Sequence, residues 1–376
     1  MKLGQVFDPR NNALNALRLA LAAEVMLFHS WSATGRLPPT AIRQLLFAVG
    51  VDGFFAISGF LITRSWLADP RVRDYLVARA LRILPGFYVC LIITAFVFAP
   101  VSVAIQGGSP TDLLRSAAPL EYVLKNSALA YLQQNVGGTP RGVPAAGNWN
   151  GSLWSLVYEA MCYLAVAGIG LAGLASKRWI SPVILALAVL GSTLLPPLTL
   201  SEAWTIPQLV VRAAIMFAAG AVLYQWRDII PARWSLVAVS VIIVLAASRL
   251  PDYRVIAAIP LAYAVIVSGA LVKHRRMKLR TDLSYGVYIF AFPVQQLLAV
   301  CGLADVNPLG FFFIASIATL PLAAASWFLV ENPAMSLKYR LKRKWSAPTS
   351  SQDDVRNPAA DSLATDQRTR NARDTA

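Results

Sequence analysis

Residues 15–30 read NALRLALAAEVMLFHS, and this stretch decides the fold class. It lies in a run, 14–33, long and apolar enough to cross a bilayer, because about 20 mostly apolar residues span a hydrocarbon core of roughly 30 Å. Further runs of this kind lie at 44–65, 82–104, 152–175, 179–197, 207–226, 234–249, 254–272, 283–302 and 310–331. Composition agrees: of 376 residues, 57% are hydrophobic and 14% charged, and the mean hydropathy is +0.55, outside the range of ordinary soluble domains. The expected fold is an all-α integral membrane protein, a bundle of about ten transmembrane helices. The first run leads straight into a second and has no small-residue cleavage site, so it reads as a retained helix and not a signal peptide.

Lys and Arg set the expected orientation, since short cytoplasmic loops collect them. With the N-terminus inside, 22 of the 34 fall on the inner face; the outer face takes Arg36, Arg43, Arg115, Lys125, Arg141, Arg212, Arg249 and Arg254. Both termini are therefore expected in the cytoplasm. The net charge of +15 resides in these loops and gives no reason to expect a nucleic-acid partner. Cys90, Cys162 and Cys301 fall in separate apolar runs, which argues for neither a disulfide nor a metal site. The Gly-, Pro- and Asn-rich stretch from about 105 to 150 is the longest connection, and long connections tend to be functional. Residues 1–345 form the expected transmembrane domain, and 346–376, with no aromatics, an expected disordered cytoplasmic tail.

Any chemistry must then come from ionisable groups inside the membrane, each costing roughly 2.5–3.5 kcal/mol on insertion scales. Arg18 and His29 are eleven residues apart, about 20° from whole turns and ~16 Å along a helix axis, so they share one face. They read either as an interfacial anchor and a polar end residue, or as a functional pair. His29 is one of two histidines, and the other, His274, lies in a basic loop; histidine is the usual general base toward a hydroxyl. In GVDGFFAISGF, 50–60, the glycines suit close helix packing, Asp52 is expected near the outer surface, and Ser58 within hydrogen-bonding range inside the bundle. Arg79 and Arg82, one helical turn apart, read as a positive-inside flank or as a grip for phosphates. Glu159 and Tyr163 are helical neighbours in WNGSLWSLVYEAMCYL, 149–164, with Trp154 near the interface. Glu331 closes the last run beside Pro333.

Taken in order, these segments resemble the acyltransferase-3 family of bacterial membrane acyltransferases over about residues 11–335. The resemblance is carried by Asn11-Asn12, Leu17-Arg18 and His29; by Gly50-Val51-Asp52, Phe54-Phe55 and Ser58-Gly59-Phe60-Leu61; by Arg79, Arg82, Ile83 and Pro85; by Trp154-Ser155-Leu156, Glu159 and Tyr163; and by Glu331 and Pro333. Ser284-Tyr285, Tyr288 and Pro293 also match, but Ala291 stands where many members carry His. The resemblance implies transfer of an acyl group, often acetyl, from cytoplasmic acyl-coenzyme A to a hydroxyl of a cell-surface or lipid-linked carbohydrate, in the presence of membrane lipid.

On that resemblance Arg79 and Arg82 bind coenzyme A, and Arg18, His29 and Glu159 form the catalytic set, with His29 as general base. Asp52, Ser58, Trp154, Tyr163 and Tyr288 contact substrate. No metal and no permanently bound cofactor is expected; acyl-CoA is a co-substrate, and a homo-oligomer is allowed. Three other readings predict different behaviour: a flippase for a lipid-linked sugar, a noncatalytic partner in envelope assembly, and an acyltransferase acting on a glycosylated secondary metabolite.

Overall fold

Long apolar runs bonded only within themselves can satisfy their backbone without water as helices, and the computed structural model is helical throughout, with no strand among the described residues. It describes residues 1–198, 204–274, 277–279 and 281–337. The expected boundary at 345 and the tail lie outside the described residues. The principal helices are α1 (Leu14–Ala33), α2 (Thr40–Ala68) and α3 (Val72–Ile93), the last running through a π-helical turn, Thr94–Phe98, into Ala99–Ile105. They continue with α4 (Trp154–Leu171), α5 (Ile180–Thr193), α6 (Ile206–Gln225), α7 (Trp234–Ala247), α8 (Arg254–Leu271), α9 (Ser284–Val300) and α10 (Pro308–Ser326), which extends through a π-helical turn, Trp327–Glu331.

Six of these are long and apolar enough to cross a membrane: α2, α3 with its extension, α4, α6, α8 and α10 with its extension. The apolar helices α5, α7 and α9 are shorter, and α1, of 20 residues, carries Arg18 and Glu24. Each expected run coincides with one of these helices. The main difference is α3, which begins at Val72 and so takes Arg79 and Arg82 inside the helix. Arg212 and Arg254, counted with the outer face by the charge pattern, are helical and 2% and 1% exposed.

The helices α2 and α6 are central, with 72% and 67% of their apolar windows buried against 28% for α4 and α10. Glycine makes their contact possible. A Cβ at Gly59 would lie 1.9 Å from the Phe217 carbonyl oxygen, and one at Gly220 1.9 Å from that of Ala56, so the two backbones touch. The helix α9 packs against α1 and α10, and Pro293 within it has no N–H to give to the carbonyl of Ile289. Asn150 Nδ2 at 2.8 Å and Cys90 Sγ at 3.2 Å donate to that oxygen instead, tying the long connection and α3 to the middle of α9. The connection between α3 and α4 contains two short helices, Pro110–Arg115 and Ala118–Asn126, and is pinned by the fully buried Trp149, whose Nε1 donates to Thr139 Oγ1 at 3.0 Å.

Candidate active site

Arg18 and His29 of α1 open onto different cavities. Arg18 lines a small one, of about 40 Å³, together with Ser58 of α2, Ser155 and Glu159 of α4, and Ser284 and Tyr288 of α9; Val51, Phe54 and Leu156 are among its apolar walls. Within it Glu159 Oε1 accepts from Ser58 Oγ at 3.1 Å and from the Tyr163 hydroxyl at 2.5 Å, which uses the four-residue spacing of Glu159 and Tyr163. Ser155 Oγ and the Tyr288 hydroxyl share a 2.6 Å hydrogen bond, and Tyr288 donates to the Ser152 carbonyl at 3.0 Å.

Arg18 is held in place by Asp282, just before α9. Asp282 Oδ2 accepts from Arg18 Nη1 at 2.9 Å and from Arg82 Nη2 at 2.5 Å, and Ser284 donates to its other oxygen. Burial alone would raise the Asp282 pKa, but Arg82 and Arg18 beside it bring the carboxyl down to about 2, so it is ionised at any working pH. Arg82 also stands 3.7 Å from Glu331 Oε2 and lies over the rings of Tyr285 and Trp327, while Ser326 Oγ donates to Glu331 Oε1 at 2.8 Å. Arg79 turns elsewhere, 6.0 Å from the ring centres of both Tyr75 and Tyr163, with its Nε buried and unpartnered. Arg79 and Arg82 therefore serve different neighbours: Arg82 is engaged by two carboxylates, and Arg79 by aromatic faces.

His29 lines a second, larger cavity of about 470 Å³, between α1, α2, α4 and the long connection. Its ring meets Phe292 edge to face at 4.9 Å, and its Nδ1 is buried without a hydrogen-bond partner. Trp31, Trp154, Trp204 and Phe47 supply aromatic walls, and Arg212 lies 5.2 Å from the ring centre of Trp154. Val51 and Tyr288 line both cavities, so the two meet at these side chains. Ala291 is buried and His274 lies after α8; neither lines either cavity.

Asp52 lines neither cavity. It is fully buried, accepting from Arg212 Nε at 2.9 Å, Arg254 Nε at 2.6 Å and the Tyr253 hydroxyl at 2.5 Å, and so joins α2, α6 and α8. Sequence reasoning passed over Asp282, Arg212, Arg254 and Glu24, whose two carboxylate oxygens are buried and unpartnered beside Gly50. For Glu24 and Arg212 the signal was present: both are ionisable residues within apolar runs, the criterion that picks out Arg18. Asp282 carries only its position two residues before Ser284.

Residues 11–328 match the family described as acyltransferase domain, acyltransferase type 3, and the chain belongs to this family of enzymes. It is 27% identical to an O-acetyl transferase of Shigella phage Sf6 over 86% of this chain and 96% of the relative. It is 25% identical to nodulation protein 10 of Rhizobium leguminosarum bv. viciae, over 88% and 95% of the two chains. No solved structure matches it. The protein is thus an acyltransferase built of membrane-type helices, with O-acetyl transferase kinship.

Proposed function

We propose that the protein moves an acetyl group from cytoplasmic acetyl-CoA to a hydroxyl of a cell-surface or lipid-linked carbohydrate, from a position in a bacterial cytoplasmic membrane crossed about ten times with both termini inside. The observation that carries this reading is the pair of cavities along α1, one holding Arg18 and Glu159 and the other His29, meeting at Val51 and Tyr288. A donor entering beside Arg79 and Arg18 extends its acyl end past Tyr288, and the acceptor occupies the larger, aromatic-walled cavity. Such walls suit the flat faces of sugar rings.

In this scheme His29 takes the proton from the acceptor hydroxyl as its oxygen attacks the thioester carbon. The C–S bond breaks, and the proton leaves with the thiolate as coenzyme A. Arg18 stands ~16 Å from His29 along α1, too far to touch the same reacting atoms, and so positions the donor. Glu159, bonded to Ser58 and Tyr163, orders the wall beside the donor arm.

Membranes given labelled acetyl-CoA should label a glycan or glycolipid, and His29→Ala should cut that labelling by about 10²–10⁴-fold, the usual contribution of a general base, at unchanged protein level. Movement of an unlabelled substrate across the membrane without any acylation would favour a flippase and overturn the scheme.

A further inference from the structure

We infer that the acceptor carries an anionic group, a carboxylate or phosphate on or beside the acylated sugar, which Arg36 and Arg212 read in the His29 cavity. This rests on the acyl-transfer reading above and names the chemical class of its acceptor.

The described residues lining this cavity include two charged side chains, Arg36 and Arg212, and no Asp or Glu. Arg212 is 2% exposed. Its Nε is taken by Asp52, but its Nη1 is buried with no hydrogen-bond partner; the residue lines the cavity, and its guanidinium carbon lies 5.3 and 5.2 Å from the rings of Phe47 and Trp154, which line it too. A buried donor without a partner is costly, and an acceptor group placed in the cavity would remove that cost. Arg36 donates to the carbonyl oxygens of Val306 at 2.6 Å and Asp305 at 3.0 Å. Those bonds fix its position while leaving its charge without a carboxylate among the described residues.

A neutral sugar needs only the aromatic walls and the polar side chains of Gln134, Asn148 and Tyr131, which also line the cavity. The exposed Arg36, which has no carboxylate partner among the described residues, and the unfilled Nη1 of Arg212, whose charge Asp52 already shares, instead favour an anionic acceptor over a neutral one.

Arg212→Gln would take from Asp52 one of its two arginines inside the bundle, so Arg36 is the residue to change. A deletion strain complemented with the wild type, Arg36→Gln or Arg36→Lys is compared by mass spectrometry of released envelope glycans and lipids, mapping the acyl group to its sugar. The expected result is an acyl group on, or next to, a unit bearing carboxylate or phosphate. Arg36→Gln should lower acylation about tenfold or more at equal protein level, the loss of one charged contact, while Arg36→Lys retains most of it. An acyl group on an uncharged stretch of glycan, or wild-type acylation by Arg36→Gln, overturns the inference. If deletion removes no acyl mass at all, the acyl-transfer reading itself fails, and the inference with it.

Discussion

Asp52 and Asp282 are built alike and used differently. Each is a carboxylate bridging two arginines from separate helices, Arg212 and Arg254 in one case, Arg18 and Arg82 in the other. Around Asp52 the three side chains are 0–1% exposed, and the aspartate meets no cavity. Around Asp282 the arginines keep 18% and 14% exposure, and Arg18 forms part of a cavity wall. A buried carboxylate with two arginines thus does not by itself mark a site. Access decides: the Asp52 cluster, sealed but for Arg212 at the border of the larger cavity, fastens α2, α6 and α8, while the open one aims a cation at space a ligand can enter.

The comparison breaks most directly at Asp52. Asp52→Ala leaves Arg212 without a carboxylate in the interior and Arg254 with Asp252 alone, a loss of about 3–5 kcal/mol, so the protein should vanish from membranes or show the largest fall in melting temperature of these variants. A normal melting curve in detergent would show that the sealed cluster is not structural. Asp282→Ala should cost less stability, because Arg82 keeps Glu331 and the cavity admits water, yet acylation should fall on the order of 100-fold as Arg18 loses its anchor. Equal effects on melting and activity for both aspartates would erase the distinction.

Gly59→Ala tests whether close helix contact holds the sealed cluster together. Its Cβ would press on the Phe217 carbonyl and part α2 from α6, separating Asp52 from Arg212, with an expected loss of about 1–3 kcal/mol seen as a lower melting temperature. The smallest effect belongs to an ion pair with water on all sides. Lys125 and Glu121, 3.1 Å apart and more than half exposed, sit one turn apart in the long connection, and Lys125→Ala should change stability by no more than about 0.5 kcal/mol in the same melts.

The sequence made the helices legible because the cost of polar groups in hydrocarbon is felt by each 20-residue run separately. It also made Arg18, His29, Glu159 and Tyr163 conspicuous, and the spacing of Glu159 and Tyr163 corresponds to a hydrogen bond in the structure. It did not reveal partnerships. Arg212 and Arg254 count only as outer-face charges because a charge count knows position along the chain but not rotation about a helix. Arg79 and Arg82 looked like one grip because a three-residue spacing puts them near one face, yet the neighbours of α3 pull them to different partners. Asp282 gave no signal, lying in a polar connection where an aspartate is ordinary.

What the sequence determined alone was the class of fold, an all-helical bundle of membrane-type helices, and the ordered motifs that mark the acyltransferase family. Burial in an apolar medium and helical periodicity are local properties, readable from a window of one helix. Only the tertiary structure decided which charges are sealed and which face a cavity. The pairs concerned lie 160, 200, 202 and 264 residues apart, and their meeting depends on how each helix is turned and how closely glycine lets it approach its neighbour.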